Sequence, residues 1–168
     1  LIAHGKAAAT AHRAAVPEIA EWHLRSGCFA TDDALVRAFE AAGFERVRRF
    51  WRMRIELAGA DLAAAAAPLP AGVEIVSAYA EPLRRSAYEV QTTSFEDHWN
   101  HVTRPYGEWV EYLVSGFDDP DGWWLLTVDG APAALRLLDH SRTELRSGYL
   151  RRLGVRRPCR GRGLASLL

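Results

Sequence analysis

Residues 58–71, AGADLAAAAAPLPA, constrain the fold more than any other stretch of the chain. The five consecutive Ala can add a helical turn, but Pro68 and Pro70 stop it, and the residue before each Pro is biased away from helix. This is the best linker in the sequence. It divides the chain into blocks 1–57 and 72–168, so no single regular element can run through the middle. The whole chain has 168 residues, 49% apolar and 10% aromatic against 25% charged. That suits a globular chain with a real core and argues against a mostly disordered one.

In the first block, residues 1–15 (LIAHGKAAATAHRAA) are rich in the best helix former and read as helix. Residues 18–25 alternate well enough for a strand, with Ile19, Trp22 and Leu24 as apolar members. Thr31 and Asp32 are N-cap candidates for a helix over 33–42, where Leu35, Val36 and Phe39 share one face and Gly43 ends the helix. Residues 44–57 alternate Phe50, Arg52 and Arg54 against Trp51, Met53 and Ile55, which predicts one bent strand or two short ones. In the second block, 73–78 reads as a strand. Helices follow over 83–95, opened by Pro82, and over 105–115, where Tyr106, Trp109, Val110 and Leu113 form one stripe. Two apolar runs, 123–128 and 131–138, flank Asp129-Gly130, a hairpin signal. Residues 144–155 read as a longer strand. A Gly- and Arg-rich loop spans 156–163, and a helix is expected to begin after Gly163. Hairpins mixed with helices argue for an α+β fold with a mixed, mostly antiparallel central sheet and flanking helices. Trp123 and Trp124 should place one ring on each face of that sheet.

No run approaches the ~18–20 apolar residues of a membrane span. No charged n-region followed by an apolar h-region is present. Cys28 and Cys159 make neither a disulfide framework nor a zinc site, so no metal is expected and a reducing, cytoplasmic setting is the default. The chain starts with Leu1 in a helix already under way, and GLASLL is a helix barely begun; both ends are expected to be cut points.

The formal net charge is 0 and the pI about 7.2, which excludes a basic nucleic-acid coat or an acidic tail. The charge is uneven, however. Of 20 Arg, eight lie between Arg142 and Arg162 against one acid, Glu144, a local excess of +7. Part of this excess lies in the loop after Val155. Gly161 and Gly163 let backbone N–H groups approach a ligand, the helix expected beyond adds a positive dipole end, and Arg160 and Arg162 add charge. A pyrophosphate is the natural guest. The loop is neither a Walker A loop nor a G-x-G-x-x-G fingerprint. Cys159, among Arg neighbours, reads as a small filler residue rather than as a reactive thiolate.

Arg160-Gly161-Arg162-Gly163-Leu164-Ala165 resembles the R/Q-x-x-G-x-G/A motif of the GCN5-related N-acetyltransferases (GNAT), and Leu153-Gly154-Val155 looks like the end of that family's fourth strand. On this resemblance, residues 72–168 look like the first half of a GNAT domain. TDDALVRAFEAAGFERV resembles the family's late helix, so residues 1–57 look like a second half. The order resembles a tandem, two-repeat acetyltransferase of the kind that includes mycothiol synthase, truncated or permuted. Asp97-His98-Trp99, Arg104-Pro105-Tyr106 and Trp109 also look like second-repeat sequence.

The resemblance implies an acyl-CoA N-acyltransferase fold. It implies acetyl-CoA as co-substrate and direct transfer to an amine of a small molecule or protein. It implies that Arg160, Gly161, Arg162, Gly163, Leu164 and Ala165 hold the CoA pyrophosphate. Leu153, Gly154 and Val155 are implied to pair with the pantetheine arm as a strand edge does, with the Val155 N–H polarising the thioester carbonyl. The family's usual acid, a Tyr, falls at Phe39, which cannot give a proton. Candidates for acid–base or acceptor roles are Asp97, His98, His101, Glu144 and Tyr149. Two other readings compete: a non-catalytic CoA-binding or structural repeat, and nucleic-acid binding through the Arg142–Arg162 cluster, ranked lowest because the net charge is zero. Homo-oligomers, or the missing halves of the repeats, are candidate protein partners.

Overall fold

A computed structural model describes residues 2–13, 23–58, 68–99, 101–117, 119–139 and 146–168. The chain divides into two compact units, Leu1–Leu57 and Ala58–Leu168. Most of the expected linker, 59–67, lies outside the described residues, as do 14–22 and Glu144.

In the first unit, α1 spans Ile2–Arg13 and buries none of its residues. The helix α2 spans Asp33–Ala41. Its cap is Asp32, whose carboxylate accepts from the Leu35 N–H at 3.0 Å and satisfies one of the orphan donors of the first turn. Gly43 ends it with φ +81°. The strands expected over 18–25 and 44–57 are not present among the described residues, where 23–29 and 44–57 carry no regular element. Alternation along 44–57 specifies two faces, but a strand also needs a neighbour to take its N–H and C=O groups. Trp51, Met53 and Ile55 are accordingly 79%, 90% and 78% exposed.

The second unit is an antiparallel sheet ordered β1-β2-β3-β4. Its strands are β1 (Val73–Ser77), β2 (Trp123–Val128), β3 (Ala131–Asp139) and β4 (Tyr149–Val155). Asp129 and Gly130 join β2 to β3 with φ +50° and +77°, the two positive values that a type I′ hairpin turn requires. Two helices, α3 (Leu83–Ser94) and α4 (Tyr106–Phe117), lie between β1 and β2 in sequence. They cover one face of the sheet: Ala87, Val90, Trp109 and Leu113 pack with Trp123, Leu125, Leu135 and Leu137. The predicted stripe of α4 is thus the buried one. The opposite face buries Val73, Leu126 and Ala134 with Leu164 from the loop after β4. Period-2 alternation explains the division, since 123 and 125 face one way and 126 the other. Trp124 turns away from Trp123, and its indole N–H donates to the Asp121 carbonyl at 2.7 Å. An α+β fold with flanking helices is therefore what the chain adopts.

The strand expected over 144–155 is described only from Tyr149. Its pairing with β3 shifts: Leu137 faces Arg152 and Leu138 faces Leu150, so Arg151 is the extra residue of a bulge. The Arg151 guanidinium reaches the fully buried Asp139, with Nε and Nη2 at 3.0 and 2.6 Å from Oδ2. Beyond the bulge, residues 152–155 run in regular register to the loop.

Candidate functional site

A cleft of about 370 Å³ opens where β4 ends. One wall is the end of α3, Ser94 and Phe95. The other is Leu153, Gly154 and Val155 of β4. Its floor and rim come from Cys159, Arg160, Gly161, Gly163, Leu164 and Ala165. Of the nine residues that the sequence marks for a cofactor, Arg162 alone does not line the cleft; it is exposed, between two glycines that do. Ser94 and Phe95 were not legible as a wall, because nothing in a helix end says which strand it will meet. The nearest signal was Gly154, since a glycine inside a strand marks a close approach of another element.

The backbone of β4 sorts its groups by residue. The Arg156 N–H donates to the Ala133 carbonyl at 2.9 Å, toward β3. By antiparallel alternation Gly154 also points toward β3, whereas Leu153 and Val155 point their N–H and C=O away from it. Among the described residues β4 pairs with β3 alone, so this edge is open. Gly154 therefore has a packing role. A Cβ there would lie 3.1 Å from Ser94 Cβ, 3.1 Å from Phe95 Cε2 and 3.2 Å from Leu135 Cδ2. Gly154→Val is expected to destabilise the unit by about 1–3 kcal/mol through overpacking. Urea denaturation checks this, and an unchanged midpoint would show that α3 yields freely.

The loop has no helix at its far side. A 3-10 turn covers Leu164–Ser166, so the dipole expected there is not supplied. The loop offers its own donors instead. Gly161 and Gly163 both take φ +75° with open space where a Cβ would stand. The N–H groups of Gly161, Arg162, Gly163, Leu164 and Ala165 are not spent on any hydrogen bond among the described residues. Successive unspent N–H groups on such a turn form an anion-binding concavity.

The arginines of the loop divide by role. Arg160 donates from Nε to the Val155 carbonyl at 3.0 Å and from Nη2 to the Ser94 carbonyl at 2.9 Å. Its Nη1 lies 3.7 Å from the Asp97 carboxylate, to which Arg157 is also ion-paired. Arg156 donates to the Pro132 carbonyl at 3.2 Å. Arg162 has no partner among the described residues. The local excess of positive charge is thus largely tied to internal acceptors.

Among the residues suggested for chemistry, Asp97 is half-exposed and committed to Arg157 and Arg160. The Arg157 hydrogen bond holds its carboxyl below the ordinary 3.8, with the two guanidinium charges adding to it. Its folded pKa is lowered, so this pairing is present above the ordinary value and lost as pH falls through the lowered one. His98 is exposed, and its backbone N–H donates to the Phe95 carbonyl at 2.8 Å. His101 Nε2 lies 3.3 Å from Thr103 Oγ1. Tyr149 is 45% exposed at the start of β4, with the Arg151 guanidinium 5.0 Å from its ring centre. None of these four lines the cleft. Phe39 packs edge-on against Phe44 with ring centres 5.2 Å apart. Cys159 is partly buried against the Leu164 cluster, as a filler residue should be. No group of three or more His, Cys, Asp or Glu that could hold a metal occurs among the described residues. No helix among them is long and apolar enough to cross a membrane.

This α+β arrangement has a counterpart among solved structures. The chain superposes on the crystal structure of a GCN5-related N-acetyltransferase from Sphaerobacter thermophilus with a TM-score of 0.60 and 22% identity. The match covers 83% of this chain and 42% of that one, so the chain spans less than half of that protein's length. A scan of protein-family models and a search of curated proteins gave no match.

Proposed function

We propose that this chain carries the acetyl-CoA-binding part of an N-acetyltransferase that passes an acetyl group directly to an amine. The observation that carries the reading is the set of unspent N–H groups from Gly161 to Ala165, placed beside the open edge of β4. The first can hold a pyrophosphate. The second can take an extended, amide-bearing arm as an added strand. Because Gly154 faces β3 and Arg160 occupies the Val155 carbonyl, the groups left for that arm are those of Leu153 and the Val155 N–H. Acetyl-CoA supplies an activated acyl group, and the Val155 N–H is the donor suited to charge developing on its carbonyl oxygen.

The acceptor amine must lose a proton and the departing sulfur must gain one. His98 and Tyr149 are the exposed candidates and His101 is half-buried, while Glu144 lies outside the described residues. Asp97, held as an anion by two arginines, suits the structural role better. The proposal includes the two-repeat organisation: 1–57 closing one repeat, 58–71 linking, and 72–168 opening a second, as in the mycothiol synthase type. A second reading, a CoA-binding repeat without catalysis, is favoured by Phe39 at the place of the family's acid. Nucleic-acid binding is disfavoured because Arg151, Arg156, Arg157 and Arg160 are spent internally.

Calorimetric titration with CoA tests the reading. The chain is expected to bind in the micromolar range, and Gly163→Trp, which puts a side chain on a φ of +75° at the cleft rim, is expected to abolish binding while circular dichroism stays unchanged. A folded chain that binds no CoA would sink the proposal. Binding without acetyl transfer to any amine in a thiol-release screen would favour the non-catalytic repeat.

A further inference from the structure

We infer that Arg160 is a positioning residue, a strut that fixes the distance between the two walls of the cleft, and that Arg162 is the cation that meets the ligand's phosphate. The inference rests on the cofactor reading above and assigns the two arginines of the motif different work. One guanidinium joins the last residue of β4, the last residue of α3 and the turn after α3. It does so through the Val155 carbonyl at 3.0 Å, the Ser94 carbonyl at 2.9 Å and the Asp97 carboxylate at 3.7 Å. Ser94 and Val155 are the wall residues themselves. The Ser94 carbonyl belongs to the negative end of α3, where orphan carbonyls need donors, and Arg160 supplies one from 66 residues away.

Only a planar fork with five N–H groups can serve these acceptors at once. A phosphate recruiting Arg160 would have to break both carbonyl bonds and leave two acceptors in need of water. Asp97 also neutralises part of its charge while receiving Arg157 from the same loop. Arg162 differs on each count. It is exposed, lies between two glycines of positive φ, and has no partner among the described residues. A side chain that is already uncommitted meets an anion without loss of internal bonds.

The experiment compares the chain with Arg160→Gln, Arg160→Lys, Arg162→Gln and Arg162→Lys. Calorimetric CoA affinity is read at low and high salt, and ligand-free amide exchange is read over 92–98 and 153–161. Arg162→Gln should weaken CoA binding about 10-fold and flatten its salt dependence. Arg162→Lys should restore both, because a point charge suffices, and neither should change exchange. Arg160→Gln and Arg160→Lys should both speed exchange at the two walls at least about 10-fold and weaken CoA, with the salt dependence of the Lys variant retained. Unchanged exchange in Arg160→Gln, or full CoA affinity in Arg160→Lys, overturns the strut. An unaffected Arg162→Gln overturns the assignment of the phosphate cation. If the parent chain binds no CoA, the cofactor reading fails and the Arg162 assignment with it, while ligand-free exchange still decides the strut.

Discussion

Trp123→Ala is expected to cost the second unit about 3–5 kcal/mol, as large-to-small changes at fully packed aromatic sites do. Trp123 is 2% exposed and stands at the junction of three surfaces. Its ring meets Trp109 of α4 edge-on at 5.6 Å and Tyr79, after β1, at 5.7 Å. Tyr88 of α3 continues the cluster, 5.4 Å from Trp109. Removing the indole leaves a cavity lined by rigid rings that cannot collapse into it. Against a total stability of about 5–15 kcal/mol, that loss is a large share. Trp124→Ala provides the contrast. The neighbouring ring is only half-buried, and it is held by one indole hydrogen bond and the Arg136 guanidinium 5.9 Å from its centre, so its loss should cost about 1–2 kcal/mol. Guanidinium denaturation of both variants reads the difference. Equal midpoints would mean that the sheet face under α3 and α4 is not the core.

The same two residues show what a sequence can and cannot say. Adjacent tryptophans before a run ending in Asp129-Gly130 announce a strand, a hairpin turn and opposite faces, because all three follow from period 2 and positive φ. The stripe of α4 was equally legible, and Trp109 and Leu113 are buried as it required. Residues 44–57 had as good an alternation, yet no strand forms there among the described residues. The pattern encodes a face and not a neighbour, and the backbone of a strand depends on the neighbour.

The site divides along the same line. Gly161 and Gly163 could be read directly, since a turn needing φ near +75° selects glycine. The role of Gly154 could not be, for its reason lies in Ser94 and Phe95, far away in the chain. Arg160 and Arg162 look alike in sequence. They differ only because the fold brings two carbonyls and a carboxylate to the first and nothing to the second. Charge counting over 142–162 likewise could not know that Asp97, Asp139 and several carbonyls would absorb most of the excess.

Asp139→Ala is expected to cost about 3–5 kcal/mol, because breaking a buried ion pair leaves the other charge poorly compensated. Asp139 has no exposed surface, and Arg151 is 23% exposed in its side chain. Nε and Nη2 both donate to the one oxygen Oδ2, at 3.0 and 2.6 Å, across the bulge between β3 and β4. Replacing both partners separates the pair's own attraction from the penalty of orphaning one. Asp139→Leu with Arg151→Met should recover most of the loss, since apolar groups of similar volume need no partner. If the double variant is as unstable as the single one, the pair contributes through geometry that hydrophobic packing cannot replace. The bulge links that result to the cleft. Without the extra residue at Arg151, the register of 152–155 would slip by one, and every side chain and N–H of β4 would change sides. Leu153 and Val155 would then face β3, and Gly154 would no longer lie under α3. The single variant should therefore lose slow amide exchange at 152, 154 and 156, whose N–H groups face β3, and with it the open edge, whereas the double variant can regain stability yet keep that exchange fast. Restored stability without a restored edge would show that Asp139 and Arg151 are placed where they are to hold the register of the strand that borders the cleft.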